Sequence, residues 1–100
     1  MILPRSCKRE KENRKYYKEY EAEIGKAVID NESGCSFLLN DIYAFNRFVE
    51  ITVYIGDGKS VDYNHFNLGE QIDVGKDHSY SLICKYIKDH IHCIFAVIMK

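Results

Sequence analysis

The chain has no tryptophan, a single proline and only six glycines in 100 residues, which leaves little room for a long disordered segment. Its four cysteines, at positions 7, 35, 84 and 93, include no Cys-x-x-Cys pair, so neither a zinc ribbon nor a thioredoxin-like redox motif is spelled out. No stretch approaches the roughly 18 apolar residues that a membrane span requires. The opening Met1-Ile2-Leu3 is stopped by Pro4 and Arg5, too short for a secretory h-region. These absences point to a cytoplasmic protein with reduced cysteines and no membrane engagement.

Catalytic apparatus is equally scarce. The one Gly-x-Gly, in Gly56-Asp57-Gly58-Lys59, sits in a turn pattern with no strand-to-helix transition, so it cannot aim backbone amides at a phosphate. Asp77, His78 and Ser79 are consecutive, and adjacent side chains diverge, so they form no triad among themselves. A two-histidine acid–base pair could draw on His65, His78 or His92 with Lys76 or Lys85, but no spacing fixes any pair together. The expectation is a protein that is not an enzyme and that needs no cofactor and no metal.

What is present is charge asymmetry. Residues 5–18 hold seven bases against Glu10 and Glu12, a balance of +5 that leaves −6 for the rest of a chain whose total is −1. Within 41–77, seven acids (Asp41, Glu50, Asp57, Asp62, Glu70, Asp73 and Asp77) face three bases, Arg47, Lys59 and Lys76. The molecule has a basic arm and an acidic body, a layout that bears on partners rather than on fold.

The periodicities predict one domain over 1–100 of α+β class. A helix is expected over 6–24, capped by Ser6, rich in Lys, Glu and Arg, and carrying a Tyr17, Tyr20, Ile24, Val28 stripe. Its basic first turns oppose the helix dipole, and Gly25 is a plausible stop. From 26 to 99 the period shifts toward two. Lys26–Ile29 and Cys35–Leu39 flank the turn cluster around Gly34, and Asn40–Asn46 is either a short strand or a connecting turn. Phe48–Ile55 alternates cleanly and runs into Asp57-Gly58, a hairpin signal, with Ser60–Tyr63 returning. Phe66, Leu68, Ile72 and Val74 should face inward, and Tyr80–Ile87 and Ile91–Met99 close the chain. With no βαβ spacing, six or seven short strands should form an antiparallel sheet or a two-layer sandwich, with the helix packed against it.

The stretch Cys84-Lys-Tyr-Ile-Lys-Asp-His-Ile-His-Cys93 concentrates two cysteines and two histidines. If Lys88-Asp89 makes a two-residue turn, or Ile87–His90 a four-residue one, Cys84 lies opposite Cys93, with the cysteines inward and the histidines outward. If Lys88–His90 form a three-residue loop, Cys84 lies opposite Ile94 and shares a face with His92, with His90 at the rim, which would offer three zinc ligands at most. The first register separates apolar from polar side chains better.

Size, class and charge together suit a bacterial immunity or antitoxin protein, one that blocks a basic nuclease toxin by binding it. That is an analogy and not a matched motif. Asp57, Asp62, Glu70, Asp73 and Asp77, with Tyr54 and Tyr63, are the expected partner-binding residues, because acids steer a basic partner and tyrosines anchor interfaces. The alternative is a nucleic-acid-binding module using Lys8, Arg9, Lys11, Arg14 and Lys15, whose interleaved tyrosines could stack on bases. The chain is expected to be a monomer or weak homodimer, the latter through an exposed strand edge.

Overall fold

Described by a computed structural model over residues 16–56 and 58–100, the chain forms eight strands and one short 3₁₀ turn. The strands are β1 (Tyr17–Glu23), β2 (Ala27–Asp30), β3 (Cys35–Tyr43), β4 (Phe48–Gly56), β5 (Lys59–Asn67), β6 (Gln71–Val74), β7 (Tyr80–Ile87) and β8 (His92–Met99), with the 3₁₀ turn at Lys76–His78. They build two four-stranded antiparallel sheets, ordered β1-β8-β7-β6 and β2-β3-β4-β5. Strand order therefore follows chain order around the circumference, as in an up-and-down barrel flattened and opened along two seams, β1/β2 and β5/β6.

This overturns the α+β expectation. Where the helix was expected, Tyr17–Glu23 is a strand paired along its whole length with Glu23↔His92 through Tyr17↔Ile98; residues 6–15 of that helix, with Ser6 and Cys7, lie outside the described residues. The strand explains the local sequence better. Glu19, Glu21 and Glu23 occupy one parity and face outward, while Tyr20 and Ala22 occupy the other and pack inward. Good helix formers gave way because pairing with the apolar β8 outweighs propensities worth only tenths of a kcal/mol per residue.

One core lies between the sheets. Phe37, Leu39, Val49, Ile51, Val53 and Phe66 come from one sheet and Leu82, Cys84, Cys93, Phe95 and Val97 from the other. Phe95 is the central contact, its ring 4.8 Å from that of Phe37 and 6.4 Å from that of Phe66. Removing such a ring costs about 3–5 kcal/mol.

The two seams differ. At β1/β2 the hydroxyls of Tyr16 and Tyr20 both donate to Oδ1 of Asp30, the former at 2.6 Å. Oδ2 of Asp30 accepts from the Ser33 amide at 3.0 Å and the Ser33 hydroxyl at 2.6 Å. This buried carboxylate thus has all its partners, and the seam is clasped. Burial alone would raise the Asp30 pKa, but the donors from Ser33, Tyr16 and Tyr20 outweigh it and hold the carboxyl below its ordinary value. At β5/β6, among the described residues, no ladder joins the two strands.

The β7–β8 hairpin adopts neither register foreseen for it. Cys84 pairs with Phe95 and Ile87 with Cys93, with a bulge between Cys84 and Tyr86 and four residues, Lys88–Ile91, in the turn. Asp89 sets that turn by accepting from the amides of Ile91 at 2.9 Å and His92 at 2.7 Å. Both cysteines are fully buried.

Candidate protein-binding face

The outer face of the β2–β5 sheet is built from alternation. With Val49, Ile51 and Val53 inward, β4 turns Phe48, Glu50, Thr52 and Tyr54 outward. A bulge at Asn40 resets β3 so that Asp41 stands opposite Glu50 and Tyr43 opposite Phe48. On β5, Asp62 stands opposite Thr52 and Ser60 opposite Tyr54. The result is a surface of three carboxylates, Asp41, Glu50 and Asp62, among the aromatic rings of Tyr43, Phe48, Tyr54 and His65.

Short polar links fix these side chains. The Tyr43 hydroxyl donates to Oε2 of Glu50 at 2.9 Å, and that bond pushes the phenol up to about 12. Asn40 Nδ2 donates to the Thr52 hydroxyl at 2.8 Å, and the Thr52 hydroxyl donates in turn to Oδ1 of Asp62 at 2.8 Å. Tyr43 stacks on Phe48 at 4.6 Å between ring centres, and Phe48 stacks on His65 at 3.8 Å. At the same end the β3–β4 turn holds Phe45 99% exposed beside Arg47, whose φ of 62° is unusual for a residue with a side chain.

The two outer faces are not equivalent in charge. On the β1–β8 side, Glu21, Glu23 and Asp73 meet cations of the same chain, while Glu19 accepts from the Tyr17 hydroxyl. Lys88 binds Glu21 at 2.8 Å, Lys26 lies 3.5 Å from Glu23, and Lys100 lies 3.1 Å from Asp73. His92 adds Asp89 at 2.9 Å and Glu23 at 3.5 Å, and its hydrogen bond to Asp89 raises its pKa against a smaller opposing effect of burial. On the β2–β5 side, among the described residues, Asp41, Glu50 and Asp62 hydrogen-bond to neutral donors and enter no ion pair. Lys59, at the first position of β5, is the one base within that sheet's strands.

The residues expected to bind a partner are therefore dispersed. Tyr54 and Asp62 lie on this face. Tyr63 points inward, toward Phe66 with ring centres 6.3 Å apart. Tyr54 and Tyr63, with Asp73 and Asp77, line a cleft of about 630 Å³ at the β5/β6 seam, whose apolar walls are Val53, Ile55, Val61 and Val74. Glu70 sits in the β5–β6 turn, accepting from the Asn67 amide at 2.9 Å. Asp57 lies outside the described residues, as do Lys8, Arg9, Lys11, Arg14 and Lys15, on which the nucleic-acid alternative depends.

Sequence reading missed Asp41, Tyr43, Glu50, Phe48 and His65 as members of one face. The alternation of Phe48, Glu50, Thr52 and Tyr54 sets those four on one side of β4, but Asp41 and Tyr43 join them only through the shifted β3–β4 register. Among the described residues no group of three or more His, Cys, Asp or Glu side chains is placed to hold a metal ion, and no helix is long and apolar enough to cross a membrane.

Fold and surface together define an all-β sandwich with one acidic, aromatic outer face. Comparison with known protein families, curated proteins and solved structures returns no match for this chain.

Proposed function

We propose that this chain is a non-enzymatic binding protein that docks a basic protein on the outer face of its β2–β5 sheet. The most concrete partner is a bacterial nuclease toxin, neutralised in the cytoplasm in the manner of an immunity protein. One observation carries the reading: Asp41, Glu50 and Asp62 stand among exposed aromatic rings without an ion-pair partner among the described residues, while Glu21, Glu23 and Asp73 of the opposite face meet cations. Unpaired carboxylates raise the encounter rate with a cationic surface, and half-exposed aromatics supply the apolar contact that holds it. A nuclease must present positive charge to its own substrate, so an acidic surface is complementary to its active site.

Nuclease inhibition assays with purified basic nuclease domains test this. Inhibition at near-stoichiometric ratio, relieved by the Glu50→Lys/Asp62→Lys double variant, is the expected result. Full nuclease activity across a panel of such domains at stoichiometric excess would refute it. Tight, salt-sensitive binding of nucleic acid by the free chain, abolished when Lys8, Arg9, Lys11, Arg14 and Lys15 are neutralised, would favour the alternative instead.

A further inference from the structure

The β5/β6 seam is the place where the circumference stays open. Its counterpart at β1/β2 is held by Asp30, Tyr16 and Tyr20. Among the described residues β5 pairs with β4 alone, so the backbone groups on its other edge have no strand partner there. From Ser60 to Tyr63 that edge is regular, because the β4–β5 register runs unbroken through Ser60, Val61, Asp62 and Tyr63. No proline blocks it.

Beside this edge lies the cleft. Its walls on the two sides of the seam are Val61 and Tyr63 from β5 and Val74 from β6, with Lys76, Asp77 and His78 at the rim. The rim backbone is set by unusual geometry: Gly75, Asp77 and His78 all have positive φ, and the Lys76 amide donates to the Ser33 carbonyl at 2.9 Å.

We infer that β5 receives an extended segment of the basic partner as an added strand, with apolar side chains alternating with basic ones. Strand alternation dictates the pattern. Inward side chains of the added strand continue the level of Val61 and Tyr63 and enter the apolar cleft. Outward ones continue the level of Asp62 and lie beside its carboxylate, at the edge of the acidic outer face. A second copy of this chain is a worse occupant, because pairing β5 with β5 would bring Asp62 of one copy toward Asp62 of the other. The inference rests on the proposed docking of a basic protein, and names how that partner is held.

The test uses a nine-residue acetylated, amidated peptide alternating lysine and valine, matched to the nine residues of β5. Two isomers are added, each carrying three N-methyl groups, one on internal lysines and one on internal valines. In a strand, amides of one parity face the neighbour, so only one isomer can keep its bonds to β5. Saturable binding is expected, with amide shifts in the ¹⁵N spectrum confined to β4, β5, β6 and 75–78, and affinities of the isomers differing at least about tenfold. No binding, equal affinities of the two isomers, or shifts elsewhere would overturn the inference. So would a β5–β5 dimer that the peptide does not dissociate. If the peptide fails while Glu50→Lys/Asp62→Lys still relieves nuclease inhibition, strand addition falls and face docking stands. If neither the peptide nor any nuclease binds, both fall.

Discussion

The sulfur atoms of Cys84 and Cys93 lie 3.3 Å apart in the core, although neither residue is the other's partner in the β7–β8 ladder. The bulge beside Lys85 brings them together diagonally, and the Cys93 thiol also donates to the Tyr86 carbonyl at 3.2 Å. The contact pushes the Cys93 thiol up, as does burial, and lowers that of Cys84; because both side chains are fully buried, the pair acts as small apolar filling.

Thiol labelling checks this. Because Cys35, Cys84 and Cys93 are buried, their reaction with an aromatic disulfide reagent in native buffer should be at least about a hundredfold slower than in denaturant. Labelling of Cys84 or Cys93 at the unfolded rate would contradict the packing described. Cys93→Ala strands the Tyr86 carbonyl at the bulge and should cost about 1–3 kcal/mol in urea unfolding.

Gly75 and Gly58 offer a controlled comparison. Both have positive φ, 79° and 73°, but a Cβ on Gly75 would meet the Ser33 carbonyl oxygen at 2.7 Å, whereas one on Gly58 would meet nothing within 4 Å among the described residues. Gly58→Ala should therefore cost only backbone strain, about 1 kcal/mol, and Gly75→Ala about 2 kcal/mol or more. Equal losses in chemical denaturation would mean that the Ser33–Lys76 contact does not hold the seam's rim.

The Asp30 clasp predicts a pH dependence of definite sign. Its carboxyl is held below its ordinary value when folded, so its contribution is fully present above the unfolded pKa, about 3.9, and disappears as pH falls through the lower folded value. Tyr20→Phe removes one donor to this buried carboxylate and should cost about 1.5–3 kcal/mol at pH 7. Denaturation midpoints of wild type and Tyr20→Phe should converge in strong acid. A gap unchanged from pH 7 down to about pH 2 would show that the hydroxyl acts by packing and not through the carboxylate.

The β-rich body was legible where period-2 alternation was strong, as in Phe48–Ile55, and where turn residues were specific, as around Gly34. β1 was not, because Tyr17, Tyr20 and Ile24 satisfy a helical stripe while Glu19, Glu21 and Glu23 satisfy a strand, and only β8 decides between them. The β7–β8 register was hidden for a related reason. A bulge is a local geometric choice stabilised by the Cys93–Tyr86 contact, and no residue type announces it. The binding face was partly legible: Tyr54 and Asp62 stood out, whereas Glu50 and Tyr43 gain meaning only when β3 and β4 are paired.

The central claim, that the β2–β5 face takes a basic protein, is tested most directly by affinity at two ionic strengths. Wild type and the Glu50→Lys/Asp62→Lys variant would be titrated with an inhibited nuclease domain at about 0.05 M and 0.3 M salt, where the screening length falls from about 14 to about 6 Å. The account predicts at least a thirtyfold (roughly 2 kcal/mol) weaker complex for the variant at low salt, a gap that narrows at high salt, and an unchanged fold by circular dichroism. An affinity that the double reversal leaves intact at both salts would contradict it.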